Sequence, residues 1–214
     1  MSPGKKIKLA VPALLILAAF AAFYISGGNR GMYSDISEHW ARAAIEKWSE
    51  NGVLTGSKGV FRPDDGLTLA ELSTVMTRII QLPEAAENIY EDLNGEAWYA
   101  DAVLRCVADG IITAEDGKLY PTEPVTRERA FCMFARAFGI EPDTDVSVLD
   151  GYNDRKNITP GAEGYLAALL RIGVLRGESA VQLFPQEEMT RAQVVMVIDR
   201  LNALGYVSDS AEGG

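Results

Sequence analysis

The sequence predicts an all-α protein in which three helix-loop-helix repeats pack into one bundle with approximate three-fold symmetry. Two observations lead to this fold class. Apolar residues recur three or four positions apart, which is the spacing of one helix face and not of a strand. A set of short motifs also returns three times in the same order, around Gly52, Gly110 and Gly173, which are 58 and 63 residues apart. Such a period is typical of repeat architectures.

A basic and then apolar segment comes first in the chain. Residues 1–31 carry four basic residues and no acidic residue, and the apolar run 9–25 has 17 residues. This length is at the lower end of roughly 17–25 for a membrane-spanning helix. We predict one N-terminal hydrophobic helix in residues 1–31. It is either a signal peptide or a membrane anchor, and the lysines before it place the rest of the chain outside the cytoplasm.

Each predicted repeat opens with an aromatic-x-Asp motif and a first amphipathic helix. In the first repeat, Ala41, Ile45 and Trp48 share one helix face, and Gly52 follows as the left-handed stop that commonly ends a helix. The three opening motifs are Tyr33-x-Asp35, Tyr90-x-Asp92 and Tyr152-x-Asp154. The third first helix is atypical, because "ITPGAEGY" surrounds its start.

A loop and a second helix complete each repeat. A proline follows the glycine after eleven or twelve residues, and a threonine then opens the second apolar run: Pro63 and Thr68, Pro121 and Thr126, Pro185 and Thr190. "TLAE" and "TRAQ" fit the capping box, whereas Arg129 takes the place of the acid in "TRER". We predict a domain over residues 32–206 with repeats at 32–84, 88–141 and 149–205, and a flexible tail at 207–214.

The charge of the chain limits its partners. Of 20 basic and 30 acidic residues, 16 basic and all 30 acidic residues follow residue 31, which leaves a net charge of −14 (16 − 30). This charge repels polyanions, so nucleic acid is not an expected partner. An anionic ligand would require arginines placed close together.

Catalytic and metal-binding motifs are not apparent in the sequence. His39 is the one histidine and has no partner at metal-ligand spacing, and no serine or cysteine has a placed base. We expect no metal, no cofactor and no enzymatic activity. Cys106 and Cys132 lie in apolar helical runs, and the sequence leaves open whether they form a disulfide.

The motifs together resemble the S-layer homology (SLH) domain family in its usual tandem trio. Aromatic-x-Asp, "HWA", "NGVLTG", the Gly-to-Pro loop and "TRA" carry the resemblance, which covers residues 33–205. It implies a three-pronged bundle with ligand grooves between the prongs. It also implies an extracytoplasmic protein of the bacterial surface, bound non-covalently to wall glycans such as pyruvylated secondary wall polymers. We expect a monomer that binds cell-wall polysaccharide and, if the N-terminal helix is retained, the membrane.

Two arginines are the main candidates for ligand binding. Arg127 and Arg191 follow the threonine caps, at the first helical position, where a cation opposes the helix dipole by about 0.3–1 kcal/mol. Free N–H groups at that helix end and a guanidinium could hold a carboxylate together. The alternative is a salt bridge to a preceding loop, at Asp64, Asp65, Glu123, Glu187 or Glu188. The resemblance favours glycan contact. Leu69 takes this position in the first repeat, so the other two sites are expected to dominate.

Further candidate ligand-binding residues each have a structural alternative. Trp40 and Trp98, twelve residues before the glycines, could stack on a sugar or pack in the core. Asp35, Asp92 and Asp154 could bind hydroxyls or act as cap or turn residues. Gly56 and Gly177 could admit a glycan or only form a turn, and Ala114 replaces them in the second repeat. The alternative functions are a protein-binding scaffold at the cell surface and a peptidoglycan binder.

Overall fold

Residues 31–207 are described by a computed structural model, and this part of the chain contains six α-helices and no strand, only isolated β-bridges. The helices are α1 (Arg42–Glu50), α2 (Leu69–Ile79), α3 (Ala100–Ala108), α4 (Arg127–Ala137), α5 (Glu163–Arg171) and α6 (Arg191–Ala203). The all-α prediction is confirmed for these residues. None of their helices is long and apolar enough to cross a membrane. The predicted N-terminal hydrophobic helix and residues 208–214 of the predicted tail lie outside the described residues. The first residue of that tail, Val207, is buried in the core, so the predicted start of the flexible tail at 207 is wrong.

The helices begin and end where the sequence predicts. Thr68 and Thr190 form complete capping boxes with Glu71 and Gln193. Thr126 caps α4 by accepting from the Arg129 N–H at 3.2 Å. The three glycines that follow the first helices have left-handed φ values: 70° at Gly52, 74° at Gly110 and 78° at Gly173. These cap and stop predictions are confirmed.

The start of the third helix pair is irregular, as "ITPGAEGY" predicts. Two 3-10 helices, Ser147–Gly151 and Arg155–Asn157, precede α5. The Thr159 N–H donates to Glu128 Oε2 at 2.9 Å, so α4 holds this segment in place. The corresponding position of α2 and α6 is an alanine, Ala70 and Ala192.

Each second helix packs against the first helix of another pair. Helix α2 contacts α3, α4 contacts α5, and α6 contacts α1. In the last of these contacts, the Trp48 indole N–H donates to Asp199 Oδ1 at 3.2 Å, and Trp48 is only 1% exposed. The first and last helix pairs are therefore joined directly, although Trp48 and Asp199 are 151 residues apart in the sequence.

Three short segments before the second helices meet at the centre of the molecule. Their backbones form a cycle of hydrogen bonds. The Leu67 N–H donates to the Met189 carbonyl at 3.1 Å, the Val125 N–H to the Leu67 carbonyl at 2.8 Å, and the Met189 N–H to the Val125 carbonyl at 2.9 Å. All three side chains are fully buried. This cycle fixes the helices α2, α4 and α6 around one shared core.

The two cysteines are free and buried in this core. Burial raises the pKa of each thiol to about 12, because the thiolate would lose its solvation. Both therefore act as small apolar side chains, and neither has the low pKa of a reactive nucleophile.

Candidate functional site

A groove of about 340 Å³ lies where parts of all three helix pairs meet. Trp40 precedes α1, Arg127 and Phe131 lie on α4, and Arg200 lies on α6. The other lining residues are Arg176, Gly177, Glu178, Met189, Gln193, Met196 and Val197. Three predicted site residues, Arg127, Trp40 and Gly177, are thus brought together by the fold.

Arg127 is the most buried charged residue of this groove, with 3% of its surface exposed. Its Nε donates to the Leu183 carbonyl at 2.9 Å and its Nη2 to the Arg176 carbonyl at 3.4 Å. Its Nη1 lies 2.6 Å from Glu178 Oε1. The predicted alternative of a salt bridge is thus realised for Arg127, but with an acid of the loop after α5 and not with Glu123, Glu187 or another of the expected partners.

The N-terminus of α4 is closed to a ligand. The Arg127 N–H donates to the Glu187 carbonyl at 2.8 Å and the Glu128 N–H to the Pro185 carbonyl at 2.9 Å. At α6, Arg191 and Ala192 donate in the same way to the carbonyls of Asp65 and Pro63. The part of the prediction that relied on free N–H groups at these helix ends is wrong, because loop carbonyls of another helix pair already accept from them. Any anion must be bound by side chains.

The groove concentrates positive charge on an acidic chain. Burial lowers the pKa of Arg200, and the charges of Arg176 and Arg127 lower it further, while Glu178 and Asp199 oppose them. Burial also lowers the pKa of Arg127. Three guanidiniums thus share the groove with one carboxylate, Glu178. An anion placed there would relieve their mutual repulsion.

The two predicted tryptophans are exposed. Trp40 is 64% and Trp98 is 71% exposed, and both come before their helices begin. The alternative that they pack in the core is therefore wrong, since each indole faces solvent. Trp40 lines the groove and contacts the His39 ring at 5.2 Å between centroids. An exposed indole beside a cationic groove is a suitable platform for a sugar ring.

Arg191 occupies a site built like that of Arg127. Its Nε donates to the Phe61 carbonyl at 2.9 Å and its Nη2 to the Thr55 carbonyl at 2.9 Å, and its guanidinium lies 4.6 Å from the centre of the Phe61 ring. Burial lowers its pKa, and Arg62 adds to this effect. Both predicted arginines therefore bridge from a second helix to the loop of another helix pair.

Leu69 lies at the corresponding position of α2 and is fully buried. The carbonyl that an arginine there would bind, that of Leu119, accepts from Arg129 Nη2 at 3.0 Å instead. Arg129 also pairs with Glu115 at 3.3 Å. Arg129 thus makes the bond to the loop carbonyl that an arginine at position 69 would make. This explains both why α2 begins with a leucine and why α4 carries an arginine where α2 and α6 carry the acid or amide of the capping box.

Residues 33–73 and 89–128 match the sequence profile of the S-layer homology domain family. The chain carries SLH domains. Each matched segment runs from an aromatic-x-Asp motif to the start of the following second helix. This part of the chain is a cell-wall anchoring module, and the protein is extracytoplasmic, at the cell surface or in the cell wall.

Relatives of the SLH domains include surface-layer proteins and a glycosidase. The chain is 26% identical over 202 residues to the Surface-layer 125 kDa protein of Lysinibacillus sphaericus, covering 92% of the chain and 17% of that protein. It is 25% identical over 165 residues to the S-layer protein of Bacillus thuringiensis subsp. finitimus (76% and 20%). It is also 25% identical over 170 residues to Exoglucanase XynX of Acetivibrio thermocellus (78% and 16%). The chain thus spans a fifth or less of these relatives.

The aspartates of the three opening motifs brace the loops of the three helix pairs. Asp35 accepts from the N–H groups of Phe61 and Arg62, with a shortest distance of 2.7 Å to Arg62. Asp92 and Asp154 make the same contacts with residues 119–120 and 183–184. These contacts match the turn alternative. Binding of sugar hydroxyls by Asp35, Asp92 and Asp154 stays a prediction.

Replacing Asp92 by asparagine is expected to destabilise the fold in a pH-dependent way. Partial burial raises the pKa of Asp92, but the N–H groups of Tyr120 and Leu119 outweigh it and hold the pKa below the usual 3.8. The ionised carboxylate therefore adds stability that is present above the unfolded-state pKa of about 3.9 and is lost as pH falls through the folded-state value. Urea denaturation should show a loss of stability at pH 7 that narrows below pH ~4. A loss that is equal at both pH values would contradict this assignment.

Gly56 and Gly177 have no room for a side chain. A Cβ on Gly56 would overlap the Val60 carbonyl oxygen and lie 2.6 Å from the Tyr33 ring. The Gly56 N–H also donates to the Tyr33 hydroxyl at 2.9 Å. A Cβ on Gly177 would lie 2.9 Å from both the Gln182 carbonyl oxygen and the Tyr152 ring. The turn alternative thus accounts for both glycines, and Gly177 additionally lines the groove.

Replacing Gly56 by alanine is expected to lower the free energy of unfolding by about 1–3 kcal/mol, because the methyl group must displace backbone. The chain supplies its own control, since Ala114 occupies the corresponding position of the second loop. Ala114→Gly should change stability by less than about 1 kcal/mol. Urea denaturation measures both. If Gly56→Ala kept full stability and lost only ligand binding, the glycine would serve close approach of a ligand and not the turn.

Sequence reasoning missed Arg200, Arg176 and Glu178. A signal existed for Arg200, because an arginine recurs ten residues after each threonine cap, at Arg78, Arg136 and Arg200. Each donates to the carbonyl directly after the helix-ending glycine, Val53, Ile111 and Val174 respectively. No repeat signal marked Arg176, since Thr55 and Thr113 take its place in the other two loops, and the carboxylate of Glu178 recurs only in the second loop, at Glu115.

Proposed function

We propose that the chain is a non-catalytic module that binds an anionic, pyruvylated secondary wall polysaccharide in the Trp40–Arg127 groove. The carrying observation is the association of Arg127, Arg176 and Arg200 with one exposed indole on a chain whose formal net charge is −10. Guanidinium groups bind carboxylates in bidentate geometry, and an indole face can cover the apolar side of a sugar.

The SLH assignment and the helix packing support three repeats with pseudo-three-fold symmetry. The third helix pair has the same threonine cap, stop glycine and aspartate contacts as the two matched segments. The contacts α2–α3, α4–α5 and α6–α1 then follow one rule, that each second helix packs on the first helix of the next repeat. A second ligand site on this scheme lies at Arg191, with Trp98 at the position that Trp40 holds in the first groove.

The surface-layer relatives support the wall as the place of binding, and the small shared fraction of the exoglucanase supports a module without its own activity. The apolar run 9–25 is the reason why this proposal includes the membrane as a partner. If that run is retained as a helix, the chain joins membrane and wall as a monomer.

Calorimetric titration of the chain with purified secondary wall polysaccharide tests the proposal. We expect saturable binding that weakens at least about tenfold when the pyruvate groups are removed, because a charge-assisted hydrogen bond is worth about 1.5–3 kcal/mol. Equal binding of the native and the depyruvylated polymer would contradict an anionic ligand. Binding of peptidoglycan alone, or of neither polymer, would contradict the polysaccharide.

A further inference from the structure

Glu178 occupies the place that an acidic ligand would need. The three nitrogens of the Arg127 guanidinium each have a partner. Two of these partners are backbone carbonyls, those of Leu183 and Arg176, which are fixed within the loop after α5. The third is the Glu178 carboxylate, 2.6 Å from Nη1. It is the one partner that can leave without unfolding the loop.

The surroundings of Glu178 permit such a displacement. Its side chain is 40% exposed, whereas that of Arg127 is 3% exposed. Gln193 Nε2, which lines the groove on α6, also donates to its Oε1 at 3.0 Å. Gln193 and the nearby Arg176 would remain available to Glu178 after it left Arg127. Water can also solvate the released carboxylate.

The loop sequence itself places Glu178 at this position. Glu178 directly follows Gly177, as Ser57 follows Gly56 in the first loop and Glu115 follows Ala114 in the second. The N–H groups of Glu178 and Ser179 both donate to the Gln182 carbonyl, at 3.0 and 3.4 Å. In the first loop, Ser57 follows the glycine and donates alone to Val60. The loop that faces Arg191 therefore places a neutral residue where the loop that faces Arg127 places a carboxylate.

We propose that Glu178 is a competing internal carboxylate, which an acid group of the ligand must displace from Arg127 in order to bind. This inference rests on the proposed function of the groove. It makes Glu178 a specificity-determining residue, since a neutral sugar cannot replace the carboxylate on Arg127. It also makes the two arginine sites unequal, and the site of Arg191 binds the same acid group without this competition.

The experiment compares one acidic and one neutral probe at the groove. The probes are a methyl hexoside with a 4,6-linked pyruvate ketal and the methyl ester of the same compound. They are titrated into the 15N-labelled chain, with the Trp40 indole N–H signal as the readout of this groove. The variants are Glu178→Gln and, as a matched control, Glu115→Gln, which removes a loop carboxylate paired with Arg129 outside the groove.

We expect Glu178→Gln to bind the acidic probe about 2- to 5-fold more tightly, the range expected for a partly exposed ion pair, with unchanged affinity for the ester. Glu115→Gln should bind both probes like the unsubstituted chain. An affinity for the acid that is unchanged or lower in Glu178→Gln would overturn the inference, and Glu178 would then be an acceptor for sugar hydroxyls. In that case a preference of the unsubstituted chain for acid over ester would still support the proposed function. Equal binding of acid and ester by both proteins would contradict both.

Discussion

Replacement of Arg127 by leucine is expected to weaken binding of the acidic wall polysaccharide at the Trp40 groove by about 10- to 100-fold. The reason is that Arg127 is the buried cation at the base of the groove, and Arg176 and Arg200 alone would have to hold the acid group. Leucine is the residue that α2 carries at this position, so the change copies a side chain that the fold already accommodates at Leu69. The shift of the Trp40 indole N–H signal during titration measures the effect.

The same substitution also removes the bonds to Leu183 and Arg176, so stability must be followed beside binding. Two buried carbonyls would lose a charged donor, at a cost of about 1–3 kcal/mol each. Arg127→Lys is the second variant. It keeps the charge but not the three-directional donor geometry, and it should bind the polysaccharide more tightly than Arg127→Leu. A folded Arg127→Leu variant that binds like the unsubstituted chain would contradict the role of this arginine.

Replacement of Trp48 by alanine is expected to lower the free energy of unfolding by about 3–5 kcal/mol. Trp48 fills the contact between α1 and α6 and is 1% exposed. Its indole N–H donates to Asp199, and the Lys47 ammonium lies 4.8 Å from the centre of the ring and 3.2 Å from the same Asp199 oxygen. The change leaves a large cavity and an Asp199 oxygen without its indole donor.

Trp48→Ala should also change the shape of the groove. The reason is that the contact between α1 and α6 holds Trp40, which precedes α1, beside Met196 and Arg200 of α6. Trp48→Phe is the matched control. It keeps most of the volume and removes the bond to Asp199, so it should cost only about 1 kcal/mol from that bond. Urea denaturation followed by circular dichroism measures both variants. A Trp48→Ala protein as stable as Trp48→Phe would show that the α1–α6 contact does not close the bundle.

Local rules made most of the fold predictable. Threonine caps, stop glycines and helical apolar spacing act within a few residues, so Thr68, Thr190 and Gly52 could be assigned from the sequence alone. The irregular start of the third helix pair was predictable for the same reason, since proline and glycine in "ITPGAEGY" disfavour a regular first turn.

The site was predictable only in part, because its geometry depends on residues that are distant in the sequence. Repetition of the motif and the SLH resemblance pointed to Arg127 and Trp40. The partners of the arginines could not be predicted in this way, since Arg191 binds a carbonyl 136 residues away and Arg127 one 56 residues away. The loop carbonyls that accept from the first N–H groups of α4 and α6 could not be predicted either, because they too belong to distant parts of the sequence. The pairing of Arg127 with Glu178 likewise joins two residues that are far apart in the sequence.

The most direct test of the account is an NMR titration of the 15N-labelled chain with native, pyruvylated wall polysaccharide, followed at the three indole N–H signals. Trp40 lines the groove, Trp98 marks the second site, and Trp48 is buried and serves as the internal control. The account predicts that the Trp40 signal shifts with saturation, that the Trp48 signal does not, and that depyruvylated polymer loses the effect. Saturable binding that leaves the Trp40 signal unchanged would contradict the claim that this groove holds the wall polymer.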